Sequence, residues 1–320
     1  MMNLYADIIL FDSTGSPYTG ETVITNGMGG SEFQAILLLE AFAKLNKKVI
    51  CLNNTDSDKQ INNVLYLSNK NIFKYNFKCE HLIIHRNSNI PKIPHKFCYQ
   101  WITDNNTSSN LNYYNYLDNK KIKLITLSEY SSNQFPKDWE KYVINFIIPD
   151  WVYEHEIPKN KKNYIYASSI MKGYHQTSDH WKFLKINNKL QNEILNVCLP
   201  GYDNPEQDIS ESQFDIKYHG SLTFKDTVDL MASCKGLFYV NSMTETFCIT
   251  AVLAEILKTT PYIYCLNGYG ALKEVLNCNT ITDNSKDFFK SLENKNKLEL
   301  NAKNYKKDRI MNDWKKLMNL

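Results

Sequence analysis

The chain has 320 residues, of which 43% are hydrophobic and 22% are charged, so it is long and apolar enough to bury one large core or two ordinary ones. This composition excludes disordered, collagen-like and small disulfide-stapled proteins. Lys and Arg number 37 and Asp and Glu number 34, which gives a formal net charge of +3. That charge is too small to indicate a general polyanion partner or an anionic membrane surface.

Short apolar runs alternate with amphipathic stretches through the first half of the chain. The predicted elements are strand 8–11, helix 32–45 and strands 49–52, 81–85, 97–102 and 122–127. This order of strand, helix and strand is typical of an α/β domain with a mostly parallel sheet.

The composition changes between residues 147 and 162, where Pro149 and Pro158 accompany a Lys- and Asn-rich stretch. The alternation then restarts with strand 164–167, helix 178–184, strands 194–199 and 216–218, helix 224–234, strand 236–240, helix 247–257 and strand 262–265, followed by a helix-compatible tail. We therefore predict two α/β domains, at 1–148 and 149–300, and a C-terminal helix at 301–320 that packs on the first domain.

The chain gives no sign of export or of a membrane span. Eight cysteines are scattered without a C-x-x-C pair or a His/Cys cluster at zinc spacing, so we expect reduced thiols. The first residues lack the basic segment of a signal peptide, and no apolar run approaches the roughly 20 residues that a transmembrane helix needs. We expect a soluble, cytoplasmic chain.

A glycine-rich segment, Gly27-Met28-Gly29-Gly30-Ser31-Glu32, directly precedes a predicted helix. Glycines leave backbone N–H groups open, and a helix N-terminus favours an anion such as a phosphate. The segment is not a dinucleotide fingerprint, because G-x-G-x-x-G would need glycine where Glu32 stands, and it is not a Walker loop. Taken alone, it is equally well explained as a tight connection.

A second segment, 244–255, follows the strand that ends near Val240. A carboxylate at the carboxyl end of a strand, just ahead of a helix, lies where open α/β sheets bind ligands. The run Glu-Thr-Phe-Cys-Ile-Thr-Ala from Glu245, followed by Thr-Thr-Pro ending at Pro261, resembles the E-x-F-G-L-x-x-x-E-A-x-A-x-G-x-P signature of glycosyltransferase family 4. Members of that family are retaining enzymes of the GT-B fold.

Two segments of the first half also resemble this family. Residues 28–32 are similar to its G-G-[AS]-E loop, whose glycines approach the donor phosphates and the reacting sugar. Residues 127–131, which include Ser128, are similar to the strand end before the interdomain crossover.

Three segments of the second half extend the resemblance. Residues 166–173 are similar to the segment whose basic residue, here Lys172, holds the donor diphosphate. Residues 219–222 resemble the loop that contacts the nucleobase through its backbone, and 267–274 resemble the late glycine turn and helix. The segments occur in the family's order from residue 27 to about residue 275, so the resemblance covers most of the chain.

The resemblance implies two Rossmann-like domains that face each other across a cleft, with the nucleotide sugar on the second and the acceptor on the first. The residues implied as catalytic are Glu245, Lys172 and Gly30. Those implied as donor-binding are Gly29, Gly30, Ser168, Ser169, Lys172, His219, Gly220, Leu222, Glu245, Thr246, Phe247, Cys248, Ile249 and Glu255. Those placed on the acceptor side are Arg86, Thr103, Asp104 and Ser128.

The expected activity is transfer of a hexose, with retention, from a nucleotide diphosphate sugar to a hydroxyl of a glycan or another acceptor. UDP-glucose is chosen only because it is common. We expect no metal and no cofactor, because no D-x-D pair stands in a plausible donor loop; Asp56-Ser57-Asp58 matches by letter but lies in a polar run of the first domain. If a virus encodes the chain, its location is the host cytoplasm.

Two positions depart from the family pattern. Glu255 is ten residues after Glu245, whereas the family's two glutamates are eight apart. Leu253 fills the plus-eight position, and counting back from Pro261 puts Ala254 at the position of the second glutamate. Two extra helical residues turn a side chain by about 200°, so either a local bulge restores Glu255 or this contact is lost. Thr103 stands where many relatives carry a histidine before the aspartate.

Each candidate also has an ordinary structural explanation. Glu245 is equally a residue at a helix N-terminus, where the dipole favours a carboxylate, and Lys172 is one of many lysines. Arg86, one of two arginines in the chain, is suited to bidentate phosphate or carboxylate binding or to a structural salt bridge. His85 beside it is a possible acid or base, or a half-buried core histidine.

Three other functions stay open at this level. A DNA-modifying glycosyltransferase has the same architecture, with DNA as partner, but the +3 charge offers no phosphate-tracking stripe. A nicotinamide-dependent oxidoreductase lacks the third glycine and the acidic residue about 20 positions on. A degenerate relative that binds nucleotide sugar without turnover is favoured by the departures at Glu255 and Thr103.

Overall fold

The structure is a computed structural model that describes residues 2–25, 27–86, 91–105, 122–203, 209–278, 280–293 and 302–320. The chain divides into two compact units. The first comprises Met1–Thr22, Gly30–Ile147 and Tyr305–Leu320, and the second comprises Val23–Gly29 and Ile148–Asn304. The segment Val23–Gly29, which the sequence analysis assigned to the first domain, therefore belongs to the second unit. That residues 1–148 and 149–300 act as an acceptor domain and a donor domain stays a prediction.

The first unit holds a sheet of eight described strands. They are β1 (Met2–Phe11), β2 (Val49–Asn53), β3 (Lys59–Ile61), β4 (Val64–Ser68), β5 (Tyr75–His85), β6 (His95–Trp101), β7 (Lys123–Thr126) and β8 (Lys141–Val143). Their order is β3-β4-β2-β1-β5-β6-β7-β8, and neighbouring pairs are parallel except β3 with β4. The strand order reverses between β1 and β5, which makes their carboxyl ends a topological switch point.

The second unit holds a parallel sheet of six described strands. They are β9 (Tyr164–Ala167), β10 (Leu195–Cys198), β11 (Ile216–Tyr218), β12 (Gly236–Asn241), β13 (Thr260–Cys265) and β14 (Ile281–Thr282). Their order is β11-β10-β9-β12-β13-β14, and every pair is parallel. This is the 3-2-1-4-5-6 order of a Rossmann fold, with its switch point between β9 and β12.

Helices connect the strands of both sheets. The described α-helices are α1 (Thr22–Thr25), α2 (Gly30–Ala43), α3 (Glu129–Ser132), α4 (Asp150–Tyr153), α5 (Tyr174–Ile186), α6 (Phe224–Ser233), α7 (Ile249–Ile256), α8 (Leu272–Val275), α9 (Ser285–Glu293) and α10 (Lys307–Met318). Within the described ranges, none of these helices has the length and apolar character that crossing a membrane requires.

The central strands are apolar because both faces of each sheet are covered. Ile8, Ile9 and Leu10 of β1 are fully buried, and so is the run 82–84 of β5. Such continuous apolar runs are typical of parallel strands between two layers of helices. The predicted α/β class, with two Rossmann-like parallel sheets, is confirmed.

Two features of the fold differ from the sequence prediction. The β3–β4 hairpin was not predicted, although Asn62 and Asn63, with φ of +49° and +63°, form its turn, and such residues favour the left-handed conformation of a two-residue hairpin. The C-terminal helix is also shorter than the predicted range 301–320, because α10 covers Lys307–Met318.

Helix α10 packs on the first unit through an aromatic cluster. Trp314 is 1% exposed, and its ring centroid lies 5.9 Å from that of Phe42 in α2 and 5.6 Å from that of Trp101 in β6, both edge to face. Edge-to-face pairs at these separations add to the free energy gained by burying the rings. The C-terminal residues are therefore part of the core of the first unit.

We predict that Trp314→Ala lowers the free energy of unfolding by about 3–5 kcal/mol, because it empties a buried aromatic site. Urea unfolding followed by circular dichroism measures the change. Lys316→Ala, at an exposed position of the same helix, is the matched control and should leave the unfolding free energy within about 0.5 kcal/mol. Equal effects of the two substitutions would contradict a core role for α10.

Candidate active site

The carboxyl ends of β9 and β12 form the switch point of the second unit, and the loops that follow them carry most of the predicted donor residues. After β9, Ser169 begins a 3₁₀ turn, Ile170–Lys172. Its hydroxyl accepts a hydrogen bond of 3.3 Å from the Met171 N–H, and its carbonyl accepts one of 2.6 Å from the Tyr166 hydroxyl. Lys172 is thus carried on a turn with a fixed backbone.

A glycine joins this turn to the loop after β12. Gly173 has φ of +121°, and a Cβ there would collide with the Val240 carbonyl, so only glycine fits. The Ser242 N–H donates to the Lys172 carbonyl at 3.1 Å, and the Ser242 hydroxyl donates to the Met171 carbonyl at 3.2 Å. These contacts hold the two loops side by side.

The loop after β13 supports the backbone of Glu245. Gly270 has φ of +54°, and a Cβ there would lie 2.7 Å from the Glu245 nitrogen, which is closer than real Cβ contacts allow. The Ala271 N–H donates to the Glu245 carbonyl at 2.8 Å. Glu245 is therefore fixed by contacts from a neighbouring loop as well as by its own.

Lys172 and Glu245 form an ion pair at this edge. The Lys172 Nζ lies 3.0 Å from Glu245 Oε2 and 3.2 Å from Oε1, and the Tyr239 hydroxyl donates to Oε1 at 2.9 Å. The Glu245 side chain is 4% exposed, whereas that of Lys172 is 38% exposed. Burial alone lowers the pKa of Lys172, but the Glu245 carboxylate outweighs it and holds that pKa above its ordinary value.

Helix α7 begins directly after this pair. Cys248, at the position of the family's glycine, has φ of +63° and ψ of +76°, and its carbonyl accepts from the Ala251 and Val252 N–H groups. The Thr250 hydroxyl donates to the Ala167 carbonyl at 2.7 Å, which brings the first turn of α7 next to the end of β9. Helix N-termini attract anions, so α7 adds positive potential beside Lys172.

The other predicted donor residues of this segment frame the pair. Thr246 and Phe247 are buried, and Ile249 is the first residue of α7. Ser168 is half-buried just after β9.

Gly27 lies against the loops that follow β10 and β11. A Cβ at Gly27 would overlap the Ser221 hydroxyl, and one at Gly201 would lie 2.9 Å from the Gly27 carbonyl. The Asp203 carboxylate accepts from the Ile170 N–H at 2.9 Å, which ties this region to the Lys172 turn. Gly29, also part of the second unit, is buried, and Gly30 is the exposed first residue of α2.

The loop after β11 has the open backbone that a ligand contact needs. The Asn196 amide nitrogen donates to the Tyr164 carbonyl at 3.0 Å, so its oxygen accepts from His219 Nε2 at 2.8 Å. Burial lowers the pKa of His219. Gly220 has φ of +73° with no atom within 4 Å of a Cβ position, and Leu222 is half-buried.

The structure does not bring Glu255 to the Lys172–Glu245 pair. Glu255 is 1% exposed, and its Oε1 accepts from the Asn277 N–H at 2.8 Å. It stands six residues beyond Ile249, roughly 9 Å along α7 from the switch point. Burial raises the pKa of Glu255. This geometry differs from the expected donor contact, because the carboxylate supports the loop after α8.

A polar cluster, Asp12–Glu32–His85–Arg86, occupies the switch point of the first unit. Asp12 Oδ2 accepts from Arg86 Nη2 at 2.7 Å and lies 3.0 Å from His85 Nδ1, and Glu32 Oε1 accepts from Arg86 Nη1 at 3.0 Å. Burial alone raises the pKa of Asp12, but the hydrogen bond and charge of His85 and the charge of Arg86 outweigh it and hold the pKa well below its usual range. Arg86 thus forms structural ion pairs with two carboxylates of its own unit, and its role in acceptor binding stays a prediction.

The remaining acceptor-side residues occupy separate places. Ser128 is fully buried and caps α3 by accepting from the Ser131 N–H at 3.1 Å, so its hydroxyl already has a structural use. Thr103 is 4% exposed, whereas Asp104 is exposed. Their roles in acceptor binding stay predictions.

Sequence reasoning missed several residues that shape these sites. Asp12 and Glu32 were not predicted to bind Arg86, although both stand at element ends where ligands and ion pairs gather. Tyr239 gave no signal at all, because a tyrosine in an apolar strand has the pattern of a core residue. Asp203 lies in a short turn without a recognisable motif.

The described residues hold no group of three or more His, Cys, Asp or Glu side chains arranged to bind a metal ion. The expectation that no metal is required stays a prediction. The eight cysteines are all free thiols in the structure, and seven of them are buried.

No protein-family model matches the chain, and no curated protein matches its sequence. Solved structures do resemble it. It is similar to WaaG, a glycosyltransferase involved in lipopolysaccharide biosynthesis, with a TM-score of 0.61 and 12% identity over 89% of this chain and 90% of that one. It is also similar to HepE of Anabaena, solved in complex with UDP and glucose, with a TM-score of 0.62 and 13% identity over 90% of this chain and 89% of that one.

A third structure, AviGT4, a glycosyltransferase involved in avilamycin A biosynthesis, gives a TM-score of 0.55 and 13% identity over 97% of this chain and 92% of that one. At such low identity these likenesses establish the fold. The chain has the fold of the GT-B glycosyltransferases, which confirms the predicted fold class. Membership of family 4 stays a prediction.

We predict that Asp12→Asn lowers the free energy of unfolding by about 3 kcal/mol at pH 7, because it leaves the largely buried Arg86 guanidinium without one of its two carboxylates. The folded pKa of Asp12 lies below its unfolded value of about 3.9. The contribution of Asp12 is therefore complete above the unfolded pKa and is lost as the pH falls towards the folded value.

Urea unfolding of the wild type and the variant at pH 7 and pH 3 measures this difference, which should shrink at the lower pH. Asp56→Asn, whose side chain is 84% exposed, serves as the control and should change little at either pH. A difference that stays constant with pH would argue against the ion pair.

Proposed function

We propose that this chain is a retaining glycosyltransferase of family 4 that moves a hexose from a nucleoside diphosphate sugar to a hydroxyl acceptor. The observation that carries the proposal is the Lys172–Glu245 pair, held at the switch point of the second unit of a GT-B fold. Ligands of open α/β sheets bind outside the carboxyl ends of the strands at such a point.

The chemistry requires charge stabilisation more than proton transfer from the protein. When the bond between the sugar's anomeric carbon and the phosphate oxygen breaks, the leaving diphosphate takes the electron pair. The acceptor hydroxyl oxygen bonds to the same face of that carbon and gives its proton to the departing phosphate oxygen. Lys172 and the N-terminus of α7, both in the second unit, are suited to stabilise this charge. These groups make a metal ion unnecessary for the proposed step.

Glu245 has the role of a donor-sugar contact in this proposal. Its carboxylate accepts hydrogen bonds only, so it is suited to hold hydroxyl groups of the sugar. The loop 219–222, with Gly220 open to its surroundings, is suited to take the nucleobase through its backbone. UDP as the donor nucleotide is supported by the presence of UDP and glucose in the HepE structure.

One observation favours a second candidate, a nucleotide-sugar-binding protein without turnover. Glu255 is engaged with the Asn277 backbone, and the position of the family's second glutamate falls on Leu253 or Ala254, both apolar. A DNA acceptor has no supporting observation among the similar structures and is not part of the proposal.

Thermal unfolding with UDP, GDP, ADP, NAD and their common sugar conjugates, with and without EDTA, tests the donor class. A ligand that binds only the native state raises the melting temperature. We predict a rise with one nucleoside diphosphate and its sugar conjugate that EDTA does not change. A rise with NAD alone would contradict the proposal.

Substitution of the pair then separates binding from turnover. Lys172→Met should weaken binding of the nucleoside diphosphate about 10- to 100-fold, because it removes a hydrogen bond to a charged group. Glu245→Gln should lower the turnover number about 100-fold, comparable to loss of one charge-stabilising contact at a reacting centre. Lys290→Met, at an exposed position of α9, is the matched control and should do neither. Binding without turnover in the wild type would favour the second candidate.

A further inference from the structure

In the proposed function, the ammonium group of Lys172 has two anionic partners, the Glu245 carboxylate and the donor diphosphate. Lys172 Nζ has three protons, and it lies within hydrogen-bond distance of both oxygens of Glu245. The same group is assigned to the donor diphosphate. Because a diphosphate carries more negative charge than a single carboxylate, it should draw the ammonium away from Glu245 at least in part.

The two partners differ in their freedom to move. The Lys172 side chain is 38% exposed and that of Glu245 is 4% exposed, so the lysine can turn into solvent while the carboxylate keeps its place. The Glu245 backbone is also held by Gly270 and Ala271. A buried carboxylate that loses its cation is strongly destabilised unless other donors remain.

Tyr239 is positioned to be that donor. It is fully buried, and its hydroxyl lies 2.9 Å from Glu245 Oε1 and 3.2 Å from Asn241 Oδ1. The hydroxyl has one proton, and Asn241 Oδ1 already accepts from the Met243 N–H at 3.0 Å. An ionised carboxylate is the stronger acceptor, so the proton goes to Glu245.

The Tyr239 side chain is fixed in place and keeps its hydroxyl proton. Its ring packs edge to face against Tyr166, with centroids 5.6 Å apart, on the fully buried strand β12. Burial raises the pKa of Tyr239 well above its ordinary value. The hydroxyl therefore stays a donor at any working pH.

We infer that Lys172 passes from Glu245 to the diphosphate when the donor binds, and that Tyr239 is a positioning residue that keeps the buried Glu245 carboxylate hydrogen-bonded and in place during this exchange. The inference rests on the proposed function. It has an unusual consequence: a residue buried beneath the site, without contact to the ligand, should control the affinity for a diphosphate.

Isothermal titration of UDP, with inorganic pyrophosphate as a base-free probe, tests this consequence. Tyr239→Phe should raise the dissociation constant of both probes about tenfold or more. In this variant Glu245 has no tyrosine hydroxyl to donate to it once Lys172 turns to the diphosphate, and a lost hydrogen bond to a charged group is costly. The matched control is Tyr99→Phe. Tyr99 is also buried, but it belongs to the first unit and its hydroxyl lies 3.2 Å from His81 Nδ1, so loss of that hydroxyl should leave both dissociation constants within twofold.

Glu245→Gln supplies an independent measurement. An amide does not hold Lys172 as a carboxylate does, so this variant should bind UDP several-fold more tightly than the wild type, and adding Tyr239→Phe to it should have no further effect. An unchanged affinity in Tyr239→Phe, or the same loss with and without Glu245→Gln, would overturn the inference. If Tyr239→Phe does not fold, a Glu245→Gln affinity equal to or weaker than the wild type overturns it instead.

The proposed function fails in a different way. If neither UDP nor pyrophosphate binds the wild type, or if both bind equally well to Lys172→Met, the diphosphate site itself is wrong. Binding that depends on Lys172 but not on Tyr239 keeps the proposed function and rejects only the positioning role.

Discussion

The arrangement of the second unit depends on compensating one buried charge. Glu245 is almost removed from water, and a carboxylate in such a place is tolerated only with a cation and hydrogen-bond donors around it. Lys172 comes from the loop after β9, Tyr239 from β12 and the backbone support of Gly270 from the loop after β13. These groups converge because parallel pairing puts the carboxyl ends of neighbouring strands at one edge.

The first unit also balances a buried carboxylate with a cation, but its cation is used differently. At its switch point, Asp12 follows β1 and forms an ion pair with Arg86, which follows the neighbouring strand β5. Arg86 is only 12% exposed and is bound by a second carboxylate, Glu32. Its charge is therefore used inside the unit, whereas Lys172 keeps an exposed face. This contrast is why phosphate chemistry is assigned to the second unit and not to the first.

Much of the fold and part of the site follow from the sequence. Buried parallel strands are continuous apolar runs, and these were recognisable in both halves, as were Lys172 and Glu245 from the motifs around them. The bond between those two residues spans 73 positions and depends on strand order and loop geometry, which no local pattern encodes. Tyr239 could not be recognised from the sequence, because its position in an apolar strand predicts only a buried ring, whereas its role depends on its hydroxyl. The β3–β4 hairpin was missed because its two asparagines lie in a generally polar stretch.

The departures from the family signature are connected by the geometry of α7. Cys248 adopts a left-handed conformation that costs a non-glycine residue about 1–2 kcal/mol, so the sharp entry into the helix is kept without the glycine that usually provides it. Leu253 and Ala254, the two positions on which the second glutamate falls by counting, are both buried and apolar, and an apolar side chain cannot replace a carboxylate contact. Glu255 sits further along the helix and binds the Asn277 N–H. With Glu255 at this place, one negative charge fewer lies at the switch point that is proposed to receive a diphosphate. Among the residues of the signature and of the turn Ile170–Lys172, the charged side chains left there are Glu245 and Lys172.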